Sequence, residues 1–433
     1  MALDHEDGAI IRDVLLGEHP ADIADVLEAL SEDQQSVLAE LAPDVLTGEV
    51  LAELDDATRE DLFDDLEPKQ IAEALVDLES DDQIHVFEEL DVGKREAVLA
   101  AVPAEDRESI EAALLFEEES AGRLMQREFV AAPRFWTVGH TIDHMRNAGE
   151  ELPDQFFEIF IVDERFQPIG EVPISHLMRA QRSTLLSDIL LPTKIILHPE
   201  DDQEDAAYLF EKYHLISAPV VDESGRLTGM VTVDDIVEVI QEENTEDMLA
   251  LAGVSEAQSD TVWRSVKSRA PWLLVNLATA VLASGVIALF DEAIAQLVAL
   301  AVLMPIVASM GGNAGTQSLA VAVRALASRD LNMTNAVRVV WRELAAGAVN
   351  GVIFAIVMGA VAALWFQDLN LGWVIGVSMI VTLACAGLAG ILIPLGLRRM
   401  GADPAVASSV FVTTVTDVVG FFVFLGLGAL VLL

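Results

Sequence analysis

The stretch PAVASSVFVTTVTDVVGFFVFLGLGALVLL, residues 404–433, carries a single charged side chain, Asp417. At about 1.5 Å per helical residue the run is long enough to cross an apolar bilayer core about 30 Å thick, and Asp417 falls roughly 20 Å from either end. A charge at that depth costs at least about 2.5 kcal/mol on the mildest insertion scale, so something must compensate for it. No arginine falls within any apolar run of the chain, which argues against a structural ion pair. Thr413, Thr414 and Thr416 stand beside the carboxylate. Thr413 and Asp417, four apart, share a helix face that Gly420 extends, and Gly420 lets a neighbour approach. A carboxylate among hydroxyls suits a hard cation with oxygen ligands, and protonation is the other escape. One aspartate is thin for a divalent ion. A two-fold axis would bring a second Asp417 to the same site, where two carboxylates hold a hydrated Mg²⁺ through its water shell.

Four more runs read as spans: Pro271–Phe290, Ala293 to about Ala322, Leu344–Phe366 and Leu371–Leu397. Five crossings put the termini on opposite sides of the bilayer. The connection between the second and third spans holds Arg324, Arg329, Arg338 and Arg342, and the one between the fourth and fifth holds Arg398 and Arg399. Arg264, Lys267 and Arg269 precede the first span, whereas the connections at 291–292 and 367–370 carry no base. The positive-inside rule therefore predicts a cytoplasmic N-terminal half and an external C-terminus in the cell membrane. The second span reads PIVASMGGNAGTQSLA (305–320), in which Pro305, Gly311, Gly312 and Gly315 weaken a helix. Irregular backbone at membrane depth is tolerated where it lines a wet cavity, while small residues equally make close helix seams, so pore lining and packing both stand for the glycines. Asn313, with Asp417 available in the last span, reads as part of a polar pathway.

Composition separates this half from the rest. Of the 71 acidic and 25 basic residues, seven acids and six arginines lie from Pro271 onward. The net charge of −46 therefore belongs almost entirely to the first 270 residues. Such a surface excludes nucleic acid, whose phosphates need Lys and Arg, and favours metal cations. Lysine is scarce, a balance common in salt-rich cytoplasm, so most of these carboxylates read as solvated surface. The one cysteine, Cys385, excludes disulfides and Cys-rich zinc sites. The start, MALDHEDG, has no apolar h-region, predicting no signal peptide.

Within residues 1–120, Leu54, Leu66, Leu78, Leu90 and Val102 recur every 12 positions, each followed by a polar turn. Short amphipathic helices joined by tight turns make a stacked, superhelical α domain. From about Phe129 to Ile240 the pattern becomes β with α. HLISAPVVDESGRLTGMVTVDDIVEVI (214–240) predicts a strand at Ala218–Val221, a turn, a strand at Leu227–Val233 and a helix opened by Asp234. FEIFIVDERFQPIGEVPISHLM (157–178) is a fainter copy. The two copies resemble a tandem CBS-domain pair, a regulatory module that often binds adenine nucleotides. In QEENTEDMLALAG (241–253), Glu243, Glu246 and Asp247 share a helix face, a spacing that destabilises unless a cation neutralises it. Both a metal site and a solvated face remain open there. His140 and His144 have the i, i+4 spacing of a metal pair but no evident third ligand.

These parts together resemble the MgtE family of magnesium transporters and channels. EEESAGRLMQREFV (117–130), the CBS pair, the acidic linker, SMGGNAGTQSLA and DPAVASSVFVTTVTDVVGF (403–421) carry the resemblance over almost the whole chain. It implies a multidomain chain: an acidic α-helical repeat domain over 1–122, CBS copies over 123–183 and 184–240, a connecting plug helix over 241–268, and an all-α pore domain of five transmembrane helices over 269–433. It implies a homodimer with a pore between protomers, transporting Mg²⁺ and closed by cytoplasmic Mg²⁺, and no enzymatic activity. By the same resemblance Asp417 matches the pore carboxylate, with Asn313 and Gly312 in the second-span signature and Thr413 beside it. Asp202, Glu204, Asp235 and Glu238 fall where the second CBS copy supplies gating ligands. Glu243, Glu246 and Asp247 match acids of the plug helix, and Asp403 is the acid that the second CBS copy's ligands meet at the membrane. ATP at the CBS pair belongs to the same expectation. The chain departs at Ser409-Val410, where many relatives carry Gly-Pro. Transport of Co²⁺ or Ni²⁺ and a non-conducting CBS sensor are the competing readings. An intramembrane aspartyl protease would need two acids within the spans of one chain, where only Asp417 is present.

Overall fold

The computed structural model describes residues 8–148, 152–153, 155–254, 262–331 and 334–433. Residues 1–7, on which the signal-peptide reading rests, and 255–261 of the expected connecting helix lie outside the described residues. The chain divides into two units, Met1–Glu242 and Glu243–Leu433.

The first unit opens with nine short helices: α1 (Gly8–Leu15), α2 (Pro20–Glu28), α3 (Glu32–Leu41), α4 (Gly48–Glu53), α5 (Asp56–Asp65), α6 (Pro68–Val76), α7 (Ser80–Glu88), α8 (Val92–Ala101) and α9 (Ala104–Ala113). Each of the five period-12 residues comes just after a helix and is buried there, Leu54 and Val102 at 2 % exposure and Leu90 at 1 %. The chain turns back at these anchors, so helices two apart in sequence stack: α2 on α4, α3 on α5, α4 on α6, α6 on α8 and α7 on α9. The turn carbonyls are closed by side-chain donors five residues on. Arg59 donates to the Leu54 carbonyl (2.5 Å), Gln83 to Leu78 (2.9 Å), Arg95 to Leu90 (2.7 Å) and Arg107 to Val102 (2.9 Å). A buried carbonyl at a helix end needs such a partner.

After the short helix α10 (Ala121–Leu124) come the two β/α copies. The first is β1 (Ala131–Pro133), α11 (Val138–Ala148), β2 (Glu158–Val162), β3 (Pro168–Pro173) and α12 (Ile174–Leu177). The second is α13 (Gln203–Tyr213), β4 (Ser217–Val221), β5 (Leu227–Thr232) and α14 (Val233–Ala252). Both hairpins have the same irregular register: Ile161 pairs with Gly170 before a shift to Val162–Pro168, as Val220 pairs with Gly229 before Val221–Leu227. In both, an aspartate closes the turn: Asp163 accepts from the Arg165 and Gln167 amides, and Asp222 from those of Ser224 and Arg226. The repeat seen faintly in sequence is a structural repeat. One detail differs: the last helix begins at Val233, and it is Asp235, three residues after Thr232, that accepts the Thr232 amide and hydroxyl (3.3 and 2.6 Å). Asp235, and not Asp234, therefore completes this helix start.

The second unit holds α15 (Val262–Ala288), α16 (Asp291–Gln296), α17 (Ala299–Ala327), α18 (Ala336–Phe366), α19 (Leu369–Arg399) and α20 (Pro404–Leu432). Among the described residues five helical stretches are long and apolar enough to cross a membrane: Ser265–Ala288, Ala299–Ala327, Ala336–Phe366, Leu369–Arg399 and Ser408–Leu432. The helices outrun the apolar spans, so Arg324, Arg338, Arg342, Arg398 and Arg399 sit on their terminal turns. The connecting helix is the second half of α14, which stops at Gly253 in a left-handed conformation (φ +73°). The weakening expected around Pro305 and its glycines is absent: α17 runs unbroken through Pro305, Gly311, Gly312 and Gly315. In a bilayer nothing outside the helix would replace the lost backbone hydrogen bonds.

The solenoid depends on close backbone contact at α4. A Cβ at Gly48 would lie 2.2 Å from the Ala74 carbonyl oxygen on α6, whereas a Cβ at Gly93 in α8 meets nothing within 4 Å. Gly48→Ala should lower the first thermal transition of the protein clearly. Gly93→Ala should leave it unchanged or raise it, by up to about 1 kcal/mol of stability, since alanine is the better helix former.

Candidate functional site

In the membrane unit α17 and α20 cross where Gly311 and Gly315 meet Val412 and Thr416. A Cβ at Gly315 would lie 2.6 Å from Val412 Cγ1, and one at Gly311 lies 3.4 Å from Thr416 Cβ and 2.7 Å from Thr382 Cγ2 of α19. These two glycines serve packing. Gly312 has open space around it, and Asn313, Thr316 and Gln317 beside it are exposed in the single chain. Thr413 and Asp417, also next to the crossing, are half-buried. Thr413, Thr414 and Thr416 turn their hydroxyls onto carbonyls of their own helix, Ser409, Val410 and Thr413 respectively. Among the described residues Asp417 has no hydrogen-bond or ion-pair partner. Gly420 does admit neighbours: Thr382 and Val307 stand 3.4 and 3.5 Å from the position of a Cβ there. Helix α20 continues through Ser409-Val410 without a break.

At the end of α17 that bears Arg324 and the start of α20, the end of α14 packs on the bundle. Ala250 shares a core with Leu319 and Val323 of α17 and Ala405 and Val412 of α20. This brings Glu243, Glu246 and Asp247 together with Asp403, which caps α20 by accepting the Ala405 amide (2.8 Å). Burial, then Asp403, Glu243 and Glu246, push the Asp247 carboxyl up to about 6. Glu246 is raised by burial and by Glu243 and Asp403. Among the described residues no base compensates in either case.

The first unit holds a second concentration of acids. Asp81 and Asp82 open α7, and Asp234, Asp235 and Glu238 lie on the first turns of α14. Asp81 is pushed well up by burial, then by Asp235 and Asp82. Asp82 rises to about 6 through burial and the charges of Glu238, Asp234, Glu53 and Glu49. Asp235 rises to about 7, mainly through burial, with Asp234 and Asp82 adding to it against the Thr232 hydrogen bonds. Helix α7 is pinned by the segment before β1: Ser80 donates its hydroxyl to Glu128 (2.8 Å) and accepts the Arg127 amide (2.8 Å). Asp202 and Glu204 stand on α13, where Asp202 caps the helix by accepting the Glu204 and Asp205 amides (2.8 and 3.3 Å). The charges acting on Asp81, Asp82 and Asp235 come from α4, α7 and α14. His140 and His144 both abut the Trp136 ring, with centroids 4.4 and 5.0 Å away. Among the described residues no three His, Cys, Asp or Glu side chains converge closely enough to hold a metal ion.

Comparison with known proteins matches the divalent cation transporter model MgtE to residues 304–427, the MgtE intracellular N domain to 18–119 and a CBS domain to 186–242. The magnesium transporter MgtE of Enterococcus faecalis is 34 % identical over 328 residues, covering 76 % of this chain and 72 % of that protein. The chain belongs to the MgtE family. The MgtE of Thermus thermophilus is 31 % identical over 442 residues, 100 % of this chain and 97 % of that protein. A crystal structure of the cytosolic domain of the Mg²⁺ channel MgtE in complex with ATP superposes with TM-score 0.51 and 30 % identity, covering 55 % of this chain and 97 % of that one. MgtE proteins are membrane transporters and not enzymes, which sets aside the protease reading.

Sequence reasoning missed Asp81, Asp82, Glu49 and Glu53. The raised carboxyls have a definite consequence for this MgtE chain. A carboxyl whose folded-state pKa is elevated keeps a proton that the unfolded chain has lost, so stability falls as pH rises through that window. For Asp82, Asp235 and Asp247 the window runs from the ordinary 3.8 up to between about 6 and about 7. In chelator, the full-length protein should melt lower at about pH 7.5 than at about pH 5.5. Added Mg²⁺ should raise the melting temperature more at the higher pH, because bridging needs ionised carboxylates. A melting temperature independent of pH would contradict this.

Proposed function

We propose that the protein is a homodimeric magnesium channel of the cell membrane, closed by cytoplasmic Mg²⁺. The observation that carries this reading is the Asp417 carboxylate in the middle of α20, half-buried and without a partner among the described residues. A second protomer about a two-fold axis would bring its own Asp417. Two carboxylates then hold an Mg²⁺ that keeps its inner waters, since the ion dehydrates reluctantly. The exposed Gly312–Asn313 face of α17 and the Thr413 side of α20 supply amide, carbonyl and hydroxyl groups for that water shell. Oxygen donors alone favour Mg²⁺ over Co²⁺ or Ni²⁺, which gain from imidazole and thiolate. The arginines at one end of the spans support a cytoplasmic N-terminus and an external C-terminus.

Gating follows from the two other acid groups. Glu243, Glu246, Asp247 and Asp403 gather where α14 packs on the ends of α17 and α20, and their mutual repulsion opposes that packing. Mg²⁺ neutralises them and favours the docked, closed arrangement. Asp81, Asp82, Asp235 and Glu238 behave alike within the soluble unit, with Asp202 and Glu204 offering further oxygen on α13. Because these carboxylates do not form a ready cage, the ion binds through water and completes each cluster as it binds. Its preference for the closed state sets the shift. An adenine nucleotide at the CBS pair is part of the proposal, supported by the likeness to a cytosolic domain solved with ATP.

The test is Mg²⁺ flux into liposomes containing the purified protein. Asp417→Asn keeps the size of the side chain and removes its charge. Flux should fall about tenfold or more, the equivalent of about 1.4 kcal/mol in the energetics of passage. Undiminished flux through Asp417→Asn would exclude the site.

A further inference from the structure

A cavity of about 460 Å³ lies in the first unit between the segment that follows α9 and the β4–β5 hairpin, with Phe116, Met125, Arg127, Glu200, Asp222 and Glu223 in its lining. None of these residues belongs to the carboxylate clusters described above. The apolar part is Phe116 and buried Met125. Arg127 is half-buried and partly desolvated; the charge of neighbouring Glu128 acts on it, but among the described residues its guanidinium makes no hydrogen bond or ion pair. The neighbouring Glu128 is engaged by the Ser80 amide and hydroxyl. A desolvated, unpaired guanidinium favours a planar anion, above all a carboxylate it can grip with two N–H groups. Three carboxylates share the same cavity. Asp222 is held ionised by the hydroxyl and amide of Ser224 and the amide of Arg226. A simple anion is repelled by these acids, and a simple organic cation by Arg127. A ligand carrying both charges satisfies both sides, and the volume suits a small molecule.

We propose that this cavity binds a free α-amino acid with an apolar side chain. Its carboxylate pairs with Arg127, its ammonium with Glu200, Asp222 or Glu223, and its side chain lies on Phe116 and Met125. The ligand ties the Met125–Arg127 segment to the hairpin of the second CBS copy. Because the Arg127 amide bonds to Ser80, occupancy also steadies the start of α7, where Asp81 and Asp82 stand.

The experiment is equilibrium dialysis of labelled L-leucine against the purified full-length protein, which reads binding independently of Mg²⁺ transport. Saturable binding of one leucine per chain is expected. Arg127→Gln should weaken it about tenfold or more, the loss of about 1.4 kcal/mol. Leucinamide, without the carboxylate, and N-acetyl-leucine, without the ammonium, should compete at least as poorly. Glu223→Gln, on an exposed turn where folding is not at risk, should weaken leucine and leave N-acetyl-leucine unaffected. Absence of leucine binding, undiminished binding by both variants, or equal competition from either blocked analogue would overturn the proposal. So would displacement only by phosphate with Mg²⁺.

Discussion

Two carboxylates about 4 Å apart repel by about 1 kcal/mol in water and by about 4 kcal/mol at the effective dielectric near a protein surface. The fold of this chain gathers acids repeatedly where burial makes that repulsion felt. Asp81, Asp82 and Asp235 are raised by burial and by one another, and Asp247 is raised by burial, Asp403, Glu243 and Glu246. Asp417 stands by itself, half-buried in an otherwise uncharged helix. In the gating proposed above, a cation from outside relieves them.

The scarcity of bases is made sharper by how the chain uses them. In the helical repeat Arg59, Arg95 and Arg107 are committed to turn carbonyls. Arg59 also meets Nε2 of His85 (3.0 Å), and burial together with Arg59 pushes the His85 pKa down. Near α7, Arg123 pairs with Glu88 while Arg59 and Arg95 hold turn carbonyls, and none of the three is ion-paired with Asp82 or Glu238. A scaffold built this way separates two tasks. Leucines and arginines fix the helices, while Asp81, Asp82, Asp235 and Glu238 have no ion pair among the described residues.

Much of this was legible in the sequence, because periodicity and apolar run length are local signals. The 12-residue leucine spacing predicted the stacked helices, and the runs ending at Phe290, Phe366 and Leu433 predicted the spans. The CBS copies were legible from VVDESGRLTG and its fainter partner, whereas the closing of each turn by Asp163 and Asp222 came from the structure. Asp81 and Asp82 were not, because acids occur in every repeat and only tertiary packing selects the pair that meets Asp235. The donors at Arg59, Gln83, Arg95 and Arg107 do have a signal, a fixed five-residue offset from the leucine ladder. It is visible once the helices are seen to turn there. The glycines of α17 could not be sorted by sequence at all: Gly311 and Gly315 differ from Gly312 only in what stands opposite them.

The central claim is that a divalent ion neutralises Asp417 between two copies of the chain. A structure of the protein in lipid nanodiscs, determined with and without Mg²⁺ at a resolution that shows bound ions, tests it most directly. The account predicts two protomers with their Asp417 side chains facing each other across the axis, and hydrated density between them when Mg²⁺ is present. Asp417 directed into lipid, or enclosed within each protomer away from its mate, would contradict it.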